Sequence, residues 1–396
     1  MHNQAFLLLL QRCKDFVVDV LIPDEERAEA ERCISPEVHR GMQELGLFGI
    51  SLPQEYGGMG LSMVQEVQLM MEIGRAASSY RAHFALNNGG GSLALLQNGS
   101  PQQKAQYLHR LAKGEIIGAF ALSEPEAGSN AASIVTRYIR SGDGYVLQGT
   151  KKYVTHAGVA DIYVVFAKDA QENGKISSFI VPSGAPGLEV GRRSATLGLR
   201  ATSVREIALN NVSVPKEALI GKEGEGLLSA YSSIEKARIH VAAVCCGIAT
   251  RALSLMTEHA HSRVQFGGPI VKQQFVRGFL ADTFAELSAA TAMTVSAARL
   301  RDQGRCTSHV ASATKLFASE MAFRATDNAV QVLGGLGYCS EGKAELLFRD
   351  ARLFRILDGT SEIQRNVIAK GIDARDPLAA WEGAITLNVT TPSHLV

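Results

Sequence analysis

The period of the apolar residues changes twice along this chain, and the resulting order of helix, sheet and helix excludes most architectures at once. From Asp24 to about Lys113 apolar side chains recur at helical spacing, as in Val38, Met42, Leu45 and Leu47 and again in Val64, Val67, Leu69, Met70 and Ile73. From Gly118 to Pro215 the runs are short and β-rich, such as Ile162-Tyr-Val-Val-Phe-Ala and Ser178-Phe-Ile-Val. Turn formers at Ser141-Gly-Asp-Gly, Glu172-Asn-Gly and Asn210-Asn211 separate them. After Gly221-Lys-Glu-Gly-Glu-Gly226 the helical period returns in long segments near 227–261, 272–304, 308–333 and 361–369. The predicted fold class is mainly α with a β domain: an N-terminal helical domain over 1–117, a middle antiparallel β domain over 118–225, a C-terminal helical bundle over 226–375, and a tail over 376–396.

This order is not the βαβα alternation of a doubly wound nucleotide-binding fold. Neither Gly335-x-Gly337 nor the glycines of 221–226 completes a phosphate-loop pattern, so both read as turns. With 40 Lys+Arg against 39 Asp+Glu, the formal charge of +1 gives no general footprint for a nucleic-acid backbone or an anionic bilayer. The run Phe6–Leu10 is too short to span a membrane and is followed at once by polar residues, so it reads as the stripe of a surface helix. No leader pattern precedes the fold, and a cytoplasmic protein is expected. The six cysteines form no CxxC pair and read as buried free thiols. His259 and His261 diverge on a helix, so no metal is expected.

Six strings carry a more specific signal: Pro53-x-x-x-Gly-Gly-x-Gly60, Ala121-Leu-Ser-Glu-Pro-Glu-Ala-Gly-Ser-Asn130, Leu197-Gly-Leu-Arg200, Arg263-Val-Gln-Phe-Gly267, Gln331-Val-Leu-Gly-Gly-Leu-Gly337, and the stretch from Arg349 through Leu357-Asp-Gly-Thr-Ser-Glu-Ile-Gln-Arg365. In this order, from about residue 24 to 371, the chain resembles the acyl-CoA dehydrogenase family of flavoproteins. The resemblance implies an N-terminal α domain, a middle β-barrel or sheet domain and a C-terminal four-helix bundle. FAD would lie between sheet and bundle, in a homotetramer, or at least a dimer, whose neighbouring subunit completes the cofactor site.

Residue by residue, the resemblance implies that Leu122, Ser123, Ser129, Tyr153 and Thr155 meet the flavin, with Tyr153 where the family commonly has Trp. Arg263, Gln265 and Phe266 would reach FAD from an adjacent subunit, and Gln331, Gly334 and Gly335 its adenosine end. Thr360 and Glu362 would touch it again. Ser129, Glu235, Arg238 and Gly359 would serve the substrate, although a structural Glu235–Arg238 helix pair is an equal reading. Leu357, Phe275 and Val244 are candidates for an acyl slot.

Asp358 stands where most of the family has a catalytic Glu. A carboxylate desolvated by substrate suits removal of a weakly acidic α-hydrogen, because burial raises its pKa towards the working pH. Asp is one methylene shorter, a retreat of about 1.5 Å on an unchanged backbone that the loop or the substrate must compensate; because relatives acting on ring substrates also use Asp, the resemblance implies a branched or alicyclic acyl group as a special case. The leading expectation is an FAD-dependent acyl-CoA dehydrogenase forming a 2,3-enoyl-CoA and passing electrons to an electron-transfer flavoprotein. A nitroalkane-oxidase-like flavoprotein and a non-catalytic flavin- or acyl-CoA-binding protein are the alternatives.

Overall fold

The computed structural model describes residues 1–171 and 174–372, so the tail predicted over 376–396 and part of the Glu172-Asn-Gly turn lie outside the described residues. The N-terminal part comprises α1 (Asn3–Phe16), α2 (Ile22–Glu31), α3 (Pro36–Glu44), α4 (Met63–Ile73), α5 (Ser78–Ala85), α6 (Leu93–Asn98) and α7 (Pro101–Ala112). Helix begins well before Asp24: Phe6, Leu9, Cys13, Val17 and Leu21 bury one stripe through α1 and the turn that joins it to α2. Ser62 with Gln65 and Ser100 with Gln103 form reciprocal capping boxes that start α4 and α7. The Asp302 carboxylate adds a second cap to α4, accepting from the backbone N–H of Met63 (2.6 Å) and Val64 (3.1 Å).

Eight strands follow: β1 (Gly118–Ala121), β2 (Arg137–Ser141), β3 (Gly144–Thr155), β4 (Ile162–Asp169), β5 (Ile176–Pro182), β6 (Leu188–Arg193), β7 (Val204–Pro215) and β8 (Leu219–Ile220). Their order is β6-β7-β3-β2-β4-β5-β8, with β1 also on β4. The sheet is mixed rather than wholly antiparallel, because β1 and β2 both run parallel to β4. Tight turns had suggested hairpins throughout, but β1 enters from α7 and a long loop carries the chain from β1 to β2, which permits parallel pairing. β4 reads as a continuous apolar run because both its faces are covered. Ile162, Val164 and Phe166 join the core beneath α6 and α7, while Tyr163, Val165 and Ala167 face the core enclosed by the sheet.

The C-terminal part holds α8 (Gly226–Ser262), the hairpin β9 (Val264–Gln265) and β10 (Gly268–Pro269), α9 (Gln274–Asp302), α10 (Ser308–Leu333), the single turn α11 (Gly335–Tyr338), α12 (Ala344–Leu353) and α13 (Ser361–Gly371). The long helix α8 is apolar enough to cross a bilayer, yet 78% of its most apolar window is buried inside the protein, as befits a core helix. It crosses α4 so closely that a Cβ on Gly74 would stand 2.6 Å from the Val244 carbonyl oxygen, and one on Gly247 2.3 Å from that of Met71. Buried Arg251 of α8 pairs with buried Glu25 of α2, tying a second N-terminal helix to α8.

Candidate active site

Asp358 lies in the loop between α12 and α13, in left-handed backbone (φ 54°), with Gly359 following at φ 95°. Three buried donors hold this loop by its carbonyls. Lys315 Nζ donates to Gly359 O (2.9 Å), Gln364 Nε2 to Asp358 O (3.0 Å) and Gly359 O (2.8 Å), and Arg238 Nε to Asp358 O at 3.4 Å. With the backbone so pinned, the carboxylate itself accepts no hydrogen bond from the described residues, and the Asp358 backbone N–H donates none. Burial pushes the Asp358 pKa above the ordinary carboxylate value, while Arg81, Lys315 and Arg238 pull against that rise. A desolvated carboxyl among cations, with no fixed partner, is free to take a proton from a ligand.

Two cavities meet at this side chain. The larger, about 610 Å³, is lined chiefly by apolar groups and is walled by Tyr153 and Thr155 at the end of β3, by Leu197 and Thr202, by Leu353 at the end of α12 and by Leu357 in the loop after it. A register shift between Lys151 and Val154, with left-handed backbone at Tyr153 and His156, turns the Tyr153 ring outward at the end of β3. The Thr202 hydroxyl is buried without a partner. An apolar cleft of this volume with an orphan hydroxyl and the Thr155 hydroxyl on its wall fits a flat, polar-edged ring such as a flavin. The smaller cavity, about 70 Å³, opens on the other side of Asp358, where Arg81, Ser233, Lys236 and His240 line it.

The other sequence-derived residues separate into groups. Leu122 and Ser123 follow β1 in a turn fixed by a buried ion pair: Lys151 Nζ donates to Glu124 Oε1 (2.7 Å) and to Leu122 O (3.1 Å). Glu124 also accepts from the N–H of Val135 (2.6 Å) and Thr136 (3.0 Å). Ser129 sits exposed farther along this loop. Thr360 caps α13 through its hydroxyl, which accepts from Ile363 N at 3.3 Å, and Glu362 is exposed in the first turn. Its own backbone N–H and the Thr360 hydroxyl hold the Glu362 carboxyl below its usual value.

Arg238 points inward to the Asp358 loop and to Ser312 (3.0 Å), while Glu235 pairs with Arg301 (3.3 Å), so the proposed Glu235–Arg238 helix pair does not form. Of the three acyl-slot candidates only Leu357 lines a cavity; Val244 is core and Phe275 is exposed. Arg263, Gln265, Gln331, Gly334 and Gly335 are all exposed, and Phe266, on the β9–β10 hairpin, is 96% exposed. None of these six residues lines either cavity within its own chain.

The sequence reading overlooked Arg81, Lys315 and Gln364. Lys315 had a signal, since it falls on the buried stripe of α10 with Ala311, Ala318 and Ala322, where a cation needs a partner. Arg81 had none, because nearly every residue of α5 is buried and no stripe distinguishes it. Arg349 and Asp350, quoted as part of one string, are structural. Asp350 accepts from the N–H of Ser78 and of Leu199, both at 2.7 Å, joining α5 to the Leu197–Arg200 stretch; burial raises its pKa to about 6.

Comparison with known proteins agrees with this architecture. The chain matches the acyl-CoA dehydrogenase N-terminal domain over residues 4–115, the middle domain over 119–212 and the C-terminal domain over 224–372. It is 37% identical to an acyl-CoA dehydrogenase of Bacillus subtilis across 93% of this chain and 98% of the relative. Among solved structures it is similar to butyryl-CoA dehydrogenase of Megasphaera elsdenii, with a TM-score of 0.89, 30% identity, and coverage of 93% of this chain and 98% of that one. A chain from the structure of the electron transferring flavoprotein of Acidaminococcus fermentans gives a TM-score of 0.90 at 33% identity, covering 93% and 98%.

Proposed function

The chain belongs to the acyl-CoA dehydrogenase family, and on that premise we propose that Asp358 is the base with which this FAD-dependent oxidoreductase desaturates an acyl-CoA thioester. Bound FAD supplies an acceptor for the β-hydrogen and its electron pair. The Asp358 carboxylate takes the α-proton, the carbon–carbon double bond forms, and a 2,3-enoyl thioester results. The free Asp358 backbone N–H is available to the thioester oxygen as negative charge develops there. Loop and base are held together by Lys315, Gln364 and Arg238, so one segment presents both groups. The observation that carries the reading is the junction of the two cavities at a partnerless, half-buried carboxylate whose pKa is raised by desolvation.

The small volume beyond Asp358 supports a short acyl group, and the missing methylene leaves room at the α-carbon for a branched or alicyclic one. Exposure of Arg263, Gln265, Phe266, Gln331 and the neighbouring glycines supports a homotetramer in which they serve the FAD of an adjacent subunit. The butyryl-CoA dehydrogenase and electron transferring flavoprotein relatives support an electron-transfer flavoprotein as acceptor. The cysteines are free thiols but not all buried as expected, since Cys33 and Cys339 are exposed and Cys306 is half-buried; the free thiols support a cytoplasmic setting.

Anaerobic bleaching of the flavin by a panel of acyl-CoA thioesters tests the reaction. Asp358→Asn is expected to slow bleaching by about 100- to 10,000-fold, the usual contribution of a general base. A variant that retains FAD and bleaches at the wild-type rate removes Asp358 from the role.

A further inference from the structure

Asp350 of α12 is buried and accepts two hydrogen bonds, both from backbone. Ser78 N, in the first turn of α5, donates to Oδ2 and Leu199 N to Oδ1, each at 2.7 Å. Those donors belong to two different walls of the larger cavity: α5 contributes Arg81 and Ala82 to it, and the stretch after β6 contributes Leu197, Leu199 and Thr202. A third wall, from Leu353 to Asp358, continues from the helix that carries Asp350. Contact here is direct, since a Cβ on Gly198 would stand 2.5 Å from the Arg349 carbonyl oxygen and 2.7 Å from Asp350 N. Leu199 is held in left-handed backbone (φ 50°), which a residue with a side chain seldom adopts without a tether. A weaker tie runs from Ala201 N to the Ser79 hydroxyl at 3.3 Å.

Among the described residues no ion pair fixes the charge of Asp350. The adjoining Arg349 guanidinium pairs with Glu29 of α2 (2.8 Å) and with Glu345 (2.5 Å), and Arg200 also turns to Glu29 (3.8 Å). Burial raises the Asp350 pKa to about 6; the two N–H donors and Arg349 oppose that rise, and Glu29 adds to it. The ionised carboxylate accepts at both oxygens. Protonation turns one oxygen into an O–H donor that faces an N–H, so one tether is lost, together with the negative charge that favours the N-terminus of α5.

We propose that ionised Asp350 is a positioning residue for FAD: by tethering α5 and the Leu199 turn to α12 it keeps three walls of the flavin cavity in register, and its protonation loosens the site. The inference rests on the acyl-CoA dehydrogenase reading above and gives that site a pH control separate from the base. It also separates FAD affinity from fold stability. The folded chain binds this proton more readily than the unfolded one, so the contribution of Asp350 to stability is full below about 3.8 and is lost as pH rises through about 6. Acidification from pH 7 to 5 therefore does not destabilise the fold through this group. The same acidification releases FAD, because only the ionised form holds both tethers.

The test dialyses the holoenzyme to equilibrium between pH 5 and 8 and measures free FAD by absorbance, with urea unfolding in parallel. The wild type is expected to lose about tenfold in FAD affinity from pH 7 to 5, the slope of one linked proton below pH 6. Asp358→Asn should show the same loss, because the base is not the linked group. Asp350→Asn turns an amide N–H₂ towards one of the two donors. It should bind FAD at least about fivefold more weakly at pH 8, the scale of one buried N–H left unpaired, and change by less than about twofold between pH 7 and 5. A flat wild-type affinity, a dependence abolished by Asp358→Asn, or one that survives in Asp350→Asn each overturns the proposal. All three leave the dehydrogenase reading intact, since acyl-CoA bleaching at pH 8 decides that separately. A fall in affinity matched by an equal fall in urea stability also overturns it, because general loosening would then be the cause. A chain that binds no FAD at any pH counts against both readings. Should Asp350→Asn fail to fold, the wild-type and Asp358→Asn curves, set against the urea series, decide alone.

Discussion

Replacing Lys315 with Met should damage the reaction without damaging the fold, an unusual combination for a residue of no exposure at the centre of a bundle. Its Nζ holds the Gly359 carbonyl at 2.9 Å, one of the donors that fix the loop carrying Asp358. A charge-assisted hydrogen bond of this kind contributes about 1.5–3 kcal/mol, so losing it depopulates the loop geometry by up to about 10- to 150-fold. Displacement of a base by about 1 Å costs on the order of 100-fold in rate, the same scale. Bleaching by the best acyl-CoA should therefore slow by about 10- to 150-fold. The cation also favours ionised Asp358, so its removal raises the pKa of the base and moves the acid limb of the pH–rate profile to higher pH.

Stability should go the other way. Burial pulls the Lys315 pKa down to about 8 from 10.5, with Asp358 opposing, and that depression corresponds to about 3 kcal/mol spent holding a charged ammonium inside the fold. The cost is present below pH 8 and is relieved as pH rises towards 10.5, where the unfolded chain holds the extra proton. The Met variant avoids this cost, so urea unfolding at neutral pH should show little or no loss of stability. A folded variant with unchanged bleaching rate and unchanged acid limb would refute the clamp.

Two further outcomes follow from buried pairs. Glu124→Gln leaves the Lys151 ammonium uncompensated under the Leu122–Ser123 turn and should cost about 3–5 kcal/mol in urea unfolding, with loss of bound FAD; a cost under about 1 kcal/mol would place the pair on the surface in effect. Although burial alone would raise it, Lys236 and His240 hold the Glu66 pKa at about 2, below 4.5. This group thus contributes about 3 kcal/mol above pH 4.5 that is lost as pH falls towards 2. Glu66→Gln should flatten that part of the stability–pH curve, and an unchanged acid transition would contradict the assignment.

The three-part order was legible because each part repeats its own apolar period: Val64 to Ile73 really is α4, and the helical segment read near 308–333 is α10 with those bounds. The parallel pairings of β1 and β2 were not legible, since strand patterning reports which residues face a core but not which neighbour a strand selects after a long loop. At the site, Asp358 was found through a string of residues around it. The donors that fix it were not, because Lys315 and Gln364 act from other helices and act on carbonyls, which leave no trace in side-chain spacing. Arg238 shows the same limit: its local partner Glu235 suggested a helix pair, and the real partners lie 70 to 120 residues away.

The near contact of backbones at Gly74 and Gly247 has a consequence for how such a chain can change its selectivity. Arg81 is carried on the helix that follows Gly74, and Asp358 belongs to the bundle on the other side of that crossing. At the two glycines no side chain stands between the helices to be swapped for a larger or smaller one, so at that point the backbones keep their spacing like the jaws of a fixed wrench. Divergence towards other acyl ends must therefore proceed by exchanging the residues that face the gap, one at a time, while the gap itself keeps its width.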